Sequence, residues 1–241
     1  MGLREVAILG YDGSRKSGSK IGYPYYDDEW DLRDNHAVSS TLVVRWGNGQ
    51  HNARREFPHV VNPASSIDRN VRKASASELL STAVRTPKLF ARTIPAGSKA
   101  VVRPLEHCMG AGFKIVAGPT EVPYGCYARE YHPTEHEYRI WFCGGQTLAA
   151  KRIKLQSSKS DECRSDWGYS AREVTPNQTK ITLKAAEKIG LEIGAADILW
   201  DETLDEYVLL ELNSCPSLDT PRVLDFFKEN ITRMFEERKN G

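Results

Sequence analysis

Asp197, Glu211 and Asn213 are the residues of this chain whose types and spacing most directly suggest chemistry. They lie in two apolar runs, 195–201 and 207–213, that flank an acidic turn and read as a β-hairpin. Side chains alternate faces along a strand, so Glu211 and Asn213 share a face, and Asp197 can bring a third oxygen to it from the partner run. Three hard oxygen donors on a rigid sheet suit Mg²⁺, which takes a few carboxylates and leaves positions for phosphate and water. The same spacing also fits the solvated face of a half-buried strand.

Three groups of cations and glycines precede this hairpin. Val101-Val-Arg103-Pro104 leads into Glu106-His-Cys-Met-Gly110-Ala-Gly112. A cation on a strand beside a glycine turn can hold phosphate, because guanidinium and backbone amides face the same anion. Tyr127-Ala-Arg-Glu130-Tyr131 ends a strand before Pro133, where exposed backbone groups could bind an adenine edge. Glu137-Tyr-Arg139 opens a strand whose hairpin return ends in Lys151-Arg152-Ile-Lys154, so Arg139 and this basic cluster could meet over one face. A solvated charged surface is the alternative. Gly13-Ser-Arg-Lys-Ser-Gly18-Ser-Lys20 comes close to a phosphate-binding P-loop. Its lysine is one position late and Ile21 stands where Ser or Thr is needed, so a flexible basic loop is expected there.

The elements that must position these residues follow from pattern and punctuation. Residues 4–9 and 41–46 read as strands, and the charged stretch 27–37 between them reads as irregular. Ala76, Leu79, Leu80, Ala83 and Val84 form one apolar stripe, predicting a helix over 66–84 that Thr86-Pro87 stops. Short strands follow at 89–93, 99–104, 113–116 and 126–131, then a hairpin of 137–142 and 147–153 with Gly144-Gly145 at its tip. The polar stretch 156–174 reads as a mobile loop. Thr175 caps a helix with Pro176 in its first turn and Gly190 at its end. A C-terminal amphipathic helix spans about 221–238. Helices mixed with mostly antiparallel hairpins predict an α+β fold.

Composition narrows the class. The formal net charge of +1 argues against a strongly basic nucleic-acid binder, although Arg15, Lys16, Lys20, Arg54 and Arg55 could form a local patch. No run approaches the ~18 apolar residues of a membrane span. The five cysteines are odd in number and include no C-x-x-C, which argues against a disulfide framework or structural zinc site and fits a reducing cytoplasm.

Taken in order, these motifs resemble the ATP-grasp superfamily, especially the carboxylate–amine ligases that add glutamate to ribosomal proteins or join D-alanines. The match covers about residues 60–220. Its parts are Arg72-Lys73 ahead of a helix, Arg103-Pro104, Gly110-Ala-Gly112, the hinge Arg129-Glu130-Tyr131 and Glu137-Tyr-Arg139. Lys151-Arg152, Arg164-Ser-Asp166, Ala185-Ala186 to Gly190-Leu191, Asp197-Ile-Leu199 and Glu211-Leu-Asn213-Ser-Cys-Pro216 complete it. The chain departs from the pattern in having Arg103 for a lysine, Asp166 for an asparagine, and only residues 1–60 for the preceding domain.

The resemblance implies an ATP-grasp fold, with ATP clasped between α+β lobes around residues 95–127 and 128–220. A shortened N-terminal α/β part, residues 1–60, would precede the ATP-grasp domain, residues 61–241. Glu130 and Tyr131 would take adenine. Lys73 (or Arg72), Arg103, Gly110, Gly112 and Glu137 would complete the nucleotide site. Asp197, Glu211 and Asn213 would hold Mg²⁺, and Arg139, Arg152 and Arg164 would stabilise anionic reaction species. The implied activity is ATP- and Mg²⁺-dependent joining of a carboxylate to an amine through an acyl phosphate. The substrates would be an amino acid, a peptide or a protein terminus. A nucleotide-binding or structural module that keeps the fold without catalysis is the other expectation. The short N-terminal part would expose surface that a partner chain could cover.

Overall fold

The computed structural model describes residues 2–49, 56–105, 112–134, 136–155 and 168–241. The N-terminal part is a parallel sheet of β1 (Glu5–Leu9), β2 (Tyr25–Tyr26), β3 (Thr41–Arg45) and β4 (Val60–Val61), in the order β2-β1-β3-β4. The near-P-loop forms 3-10 turns around a one-turn helix, α1 (Arg15–Gly18). The charged stretch expected to be irregular holds a helix, α2 (Glu29–Asn35), capped by Asp28. Its apolar signal is a single buried residue, Leu32, which hid it from periodicity. An ion pair anchors it instead: buried Glu29 meets Arg45 of β3, which also pairs with Glu56. Glu56 in turn accepts from the Ala64 amide at the start of the next helix.

That helix is broken. The stripe expected as one helix is α3 (Ala64–Val71) and α4 (Lys73–Ser81), separated by Arg72 at ψ 74°. Next comes a small antiparallel sheet, β5-β10-β7-β8, built from β5 (Leu89–Phe90), β7 (Lys99–Pro104), β8 (Lys114–Ala117) and β10 (Cys126–Glu130). The run 89–93 therefore does not stay in one strand. β6 (Thr93–Ile94) leaves to pair with β9 (Thr120–Glu121). One face of the small sheet buries Ala100, Val102 and Ala128 with Phe90 and Ile94.

The large sheet has five antiparallel strands in the order β13-β12-β11-β14-β15. They are β11 (Glu137–Cys143), β12 (Gln146–Ile153), β13 (Gly168–Arg172), β14 (Ile193–Asp201) and β15 (Glu206–Asn213). β13 lies inside the stretch expected to be a loop. Helix α5 (Pro176–Ile189) starts as expected, with Thr175 and Gln178 forming a capping box, and ends at Gly190 in the left-handed region, φ 88°. Its Ala185, Ala186 and Ile189 cover one face of the large sheet through Ile140, Phe142, Ala196, Ile198, Leu209 and Leu212. The opposite face divides along the strands. Its Trp141, Cys143, Ile193 and Ala195 pack with the N-terminal sheet and with α6 (Pro221–Asn240), whose Phe227, Ile231 and Met234 fill the space between. The other half of that face is polar.

Candidate active site

The polar half-face is built by register. Asp197 of β14 pairs directly with Glu211 of β15 and with Arg139 of β11, and Asn213 pairs with Ala195 two residues along. Arg152 of β12 pairs with Tyr169 of β13. Alternation puts Glu137, Arg139, Arg152, Tyr169, Asp197, Glu211 and Asn213 on one side. Lys151 pairs with Tyr138 and belongs to the opposite face, where its Nζ lies 3.1 Å from His136 Nδ1. The expected meeting of Arg139 with a Lys151-Arg152 cluster is thus corrected: Arg152 joins Arg139, and the neighbouring residue cannot.

The small sheet faces this surface from across a cleft. Arg103 of β7 and Arg129 of β10 sit on the side away from the small-sheet core. Arg103 Nη1 is 3.9 Å from Glu211 Oε2 and its guanidinium lies 5.4 Å from the Phe113 ring centroid. Gly112, at φ 71°, turns the chain against Pro104, where a Cβ would sit 2.7 Å from the proline ring. Lys73, first residue of α4, donates from Nζ to the Leu212 carbonyl at 2.7 Å, while Arg72 stays exposed beside Asp68. Of the two residues weighed at that position, Lys73 reaches the site.

The charges form two linked groups. Arg139 grips Asp197 with two hydrogen bonds of 2.7 Å, and Arg152 stands 3.9 Å behind it while pairing with Glu137. Burial raises the Asp197 pKa, but Arg139, Arg152 and Lys73 outweigh it and hold the carboxyl at about 2. Burial acts on Glu211 in the same direction and is outweighed by Lys73, Arg103 and Arg129, so its pKa is lowered too. Lys73 is pushed down by burial, against the pull of Glu211 and Asp197. Among the described residues five cations (Lys73, Arg103, Arg129, Arg139 and Arg152) face three carboxylates (Glu137, Asp197 and Glu211), an excess of two positive charges. Such a cleft favours a polyanion.

The hinge is engaged differently. The Glu130 amide donates to the Lys88 carbonyl and the Tyr131 amide to the Lys99 carbonyl, so both hinge N–H groups are already used by the small sheet. Glu130 places its carboxylate 3.5 Å from His132 Nε2. Gly110, Arg164 and Asp166 lie outside the described residues.

No protein-family model matches the chain, and no curated protein matches it in sequence. Solved structures do match its shape. D-alanine–D-alanine ligase from Bacillus anthracis superposes with a TM-score of 0.65 at 14% identity, over 98% of this chain and 99% of that one. ATP-grasp ligase PsnB, complexed with a minimal precursor, Mg and ADP, gives 0.64 at 13% identity over 99% of this chain and 100% of that one. Macrocyclase MdnC, bound with precursor peptide MdnA from Microcystis aeruginosa, gives 0.60 at 12% identity over 95% and 100%. This chain has the ATP-grasp fold.

Within that ATP-grasp fold the donor set fits Mg²⁺ shared with phosphate rather than an all-protein cage. Among the described residues no group of three or more His, Cys, Asp or Glu side chains is placed to hold a metal ion. Two carboxylates and an amide oxygen are what remain, and a magnesium that keeps water and phosphate ligands needs no more. Glu211 has the more available oxygens, with contacts of 3.4 Å to Asn213 and 3.9 Å to Arg103. Asn213 turns its Nδ2 toward both acids, leaving Oδ1 as the atom it can offer.

Two residues of this surface were not singled out from sequence. Tyr169 accepts from Arg152 at 2.8 Å, and both Arg139 and Arg152 lie within 5.4 Å of its ring centroid. Arg129 was read only as part of the hinge. Alternation along 126–130 was the available signal for Arg129, since it puts that side chain on the Arg103 side. Nothing in the polar stretch 156–174 marked Tyr169. Among the described residues no helix is long and apolar enough to cross a membrane.

Proposed function

We propose that this chain is an ATP- and Mg²⁺-dependent carboxylate–amine ligase. The observation that carries the reading is the cleft itself: five cations and three carboxylates, with Asp197, Glu211 and Asn213 on one face, between two sheets. Its net positive charge suits a nucleoside triphosphate. The solved counterparts support it as well, since PsnB was captured with Mg and ADP and MdnC with a precursor peptide.

In the proposed reaction a substrate carboxylate oxygen attacks the γ-phosphorus of ATP, forming an acyl phosphate and releasing ADP. An amine then attacks the acyl carbon, the C–O bond to phosphate breaks, and inorganic phosphate and a proton leave as the amide forms. Glu211, Asn213 and Asp197 would hold Mg²⁺, which would supply neutralisation of the phosphate charge. Lys73 and Arg103 bind and orient the phosphates. Arg139 and Arg152 stabilise the anionic acyl phosphate and the tetrahedral species that follows. Preorganisation is visible in both. Asp197 fixes Arg139, and Glu137 with Tyr169 fixes Arg152, so neither guanidinium must be ordered when the reaction occurs. The carboxylate and amine belong to amino acids, peptides or a protein terminus.

The test is ADP release across a panel of amino acids and peptides, with hydroxylamine to trap an acyl phosphate as a hydroxamate. Glu211→Gln should abolish Mg²⁺-dependent ADP release, and full activity in that variant would remove the metal role assigned to it. The bidentate Arg139–Asp197 pair favours a second reading, a nucleotide-binding module without turnover, because it occupies both oxygens of one metal-binding acid. That reading predicts calorimetric binding of ATP with no ADP released by any panel member.

A further inference from the structure

The geometry points to Arg129 as a positioning residue that fixes Glu211 from the opposite lobe. The inference rests on the functional reading in one respect, that Glu211 is a metal-binding carboxylate. Glu211 lies beside a β-bulge. Asp197 pairs with Glu211, but the next residue, Ile198, pairs with Leu209, so Leu210 is an extra residue in β15. A bulge disrupts the ladder locally and leaves its residue to find partners elsewhere. The Leu210 carbonyl finds Arg129, whose Nη1 donates to it from β10 of the small sheet. On the other side of Glu211, the Leu212 carbonyl accepts from Lys73 at 2.7 Å and from Asn70 at 3.1 Å. Side chains from outside the large sheet thus hold the carbonyls of the two residues on either side of Glu211.

Packing holds the segment from the other face, where Leu209 and Leu212 lie in the core against α5. A small cavity of about 10 Å³ lies behind the segment, lined by Asn70, Lys73, Ser77, Arg129, Glu211 and Leu212 among others. At this small space the bonds from Arg129, Asn70 and Lys73 hold the strand's carbonyls. Arg129 is also an expensive residue to place, being 7% exposed. A buried cation needs compensation. Tyr127 supplies the larger part, with its ring centroid 5.7 Å from the guanidinium, and the Glu211 charge adds to it. Arg129 and Glu211 stabilise each other's charged forms while the guanidinium holds the neighbouring carbonyl. The direction of Glu211 is consequently set by where the small sheet stands.

Two readouts test this on the whole chain, using Arg129→Gln, which is too short to reach the carbonyl and lacks the charge, and Arg129→Lys, which keeps the charge without the fork. The first is amide hydrogen exchange over residues 210–213. The second is the Mg²⁺ concentration at half-maximal binding of AMP-PNP, followed by calorimetry. In Arg129→Gln, exchange over 210–213 should rise while that of α5 and β11 stays, and the Mg²⁺ midpoint should rise about tenfold, as for loss of a group that orients a metal ligand. Affinity for AMP-PNP without Mg²⁺ should change far less. Arg129→Lys should show the same pattern at about threefold, and it carries the test alone should the glutamine variant not fold. A purely structural role would lower the thermal midpoint and leave the Mg²⁺ midpoint in place, which overturns the inference. Unchanged exchange over 210–213 overturns it as well. If the unsubstituted protein binds AMP-PNP with no Mg²⁺ dependence, the metal reading of Glu211 falls and takes this inference with it. A Mg²⁺ dependence that neither variant shifts removes only the role of Arg129.

Discussion

Asp197 is the residue on which the site's electrostatics turn. Its carboxylate is 6% exposed and held by Arg139 in a two-bond pair. The pKa falls from an ordinary 3.8 to about 2, so between those values the unfolded chain binds the proton first. A depressed carboxylate contributes stability that is complete above the unfolded pKa and is lost as pH falls through the folded one. The difference corresponds to about 2 kcal/mol, present above about pH 4 and lost by about pH 2. Urea unfolding across that window should show a fall in midpoint that Asp197→Asn lacks. The same variant should be less stable at pH 7 by about 3 kcal/mol, because Arg139 then keeps a buried charge without its partner. An equal acid slope in parent and variant would remove Asp197 as its source. Lys73 acts with the opposite charge and adds to the trend. Its depressed pKa means the unfolded chain holds more protons between the folded value and 10.5, so stability rises with pH in that interval. Sequence made the shared face of Asp197, Glu211 and Asn213 legible because a strand has a period of two, while the direct pairing of Asp197 with Glu211 came from the register. It could not make Arg129 legible as a partner of Leu210, since that contact joins residues 81 positions apart in different sheets. The error over Lys151 has the same origin in reverse: adjacent residues in a strand face opposite ways.

At the scale of elements, punctuation was more informative than periodicity. Thr175, Pro176 and Gly190 bounded α5 correctly because each has a local backbone reason. Helix α2 and the α3–α4 break escaped notice because their causes are not local. The first depends on the Glu29–Arg45 pair, and the second on Arg72 leaving helical geometry so that Lys73 can enter the cleft. Residues 168–172 read as loop from their polarity, yet they are an edge strand whose ladder with β12 satisfies the backbone regardless of side chain. The caps of α5 give a measurable expectation. Thr175→Ala removes the acceptor for the Gln178 amide and should cost about 1 kcal/mol. Gly190→Ala should cost more than the ~1 kcal/mol typical of a left-handed glycine, because the added Cβ would also meet Ser66 Oγ at 2.6 Å. Thermal unfolding of the two variants checks the order. A smaller loss for Gly190→Ala than for Thr175→Ala would contradict it. Both positions lie away from the cleft, so nucleotide affinity should hold in each.

At the scale of the whole molecule, one face of the large sheet serves two purposes. Its apolar half joins the N-terminal sheet and α6, and its polar half forms the cleft. The join must be rigid if the loops of the N-terminal part are to stay in register with Asn213 and its neighbours. Asn62 supplies that rigidity. It sits just after β4 at φ 58°, a conformation that asparagine tolerates better than most residues. Its Oδ1 accepts from the amides of Glu192 and Ile193, and its Nδ2 donates to the Ile193 carbonyl at 2.8 Å. One side chain therefore completes the start of β14 as if it were another strand. Arg238 reinforces the seam by reaching both Glu192 and the Val60 carbonyl from α6. Three substitutions separate the contributions. Asn62→Gly keeps the backbone conformation and loses the bonds. Asn62→Asp keeps the acceptor and loses the donor. Asn62→Ala loses the bonds and meets strain as well. The alanine variant should lose about 3 kcal/mol, the scale expected when buried backbone groups are left without partners, with glycine less affected and aspartate at least as affected as alanine, because its carboxylate would be buried against the Ile193 carbonyl. If Asn62 couples the layers, amides of β1 and β3 should also exchange faster than those of β11 and β14 in Asn62→Ala, having exchanged together in the parent. Uniform loss of protection across both sheets would mean that the apolar contact alone makes them one cooperative unit.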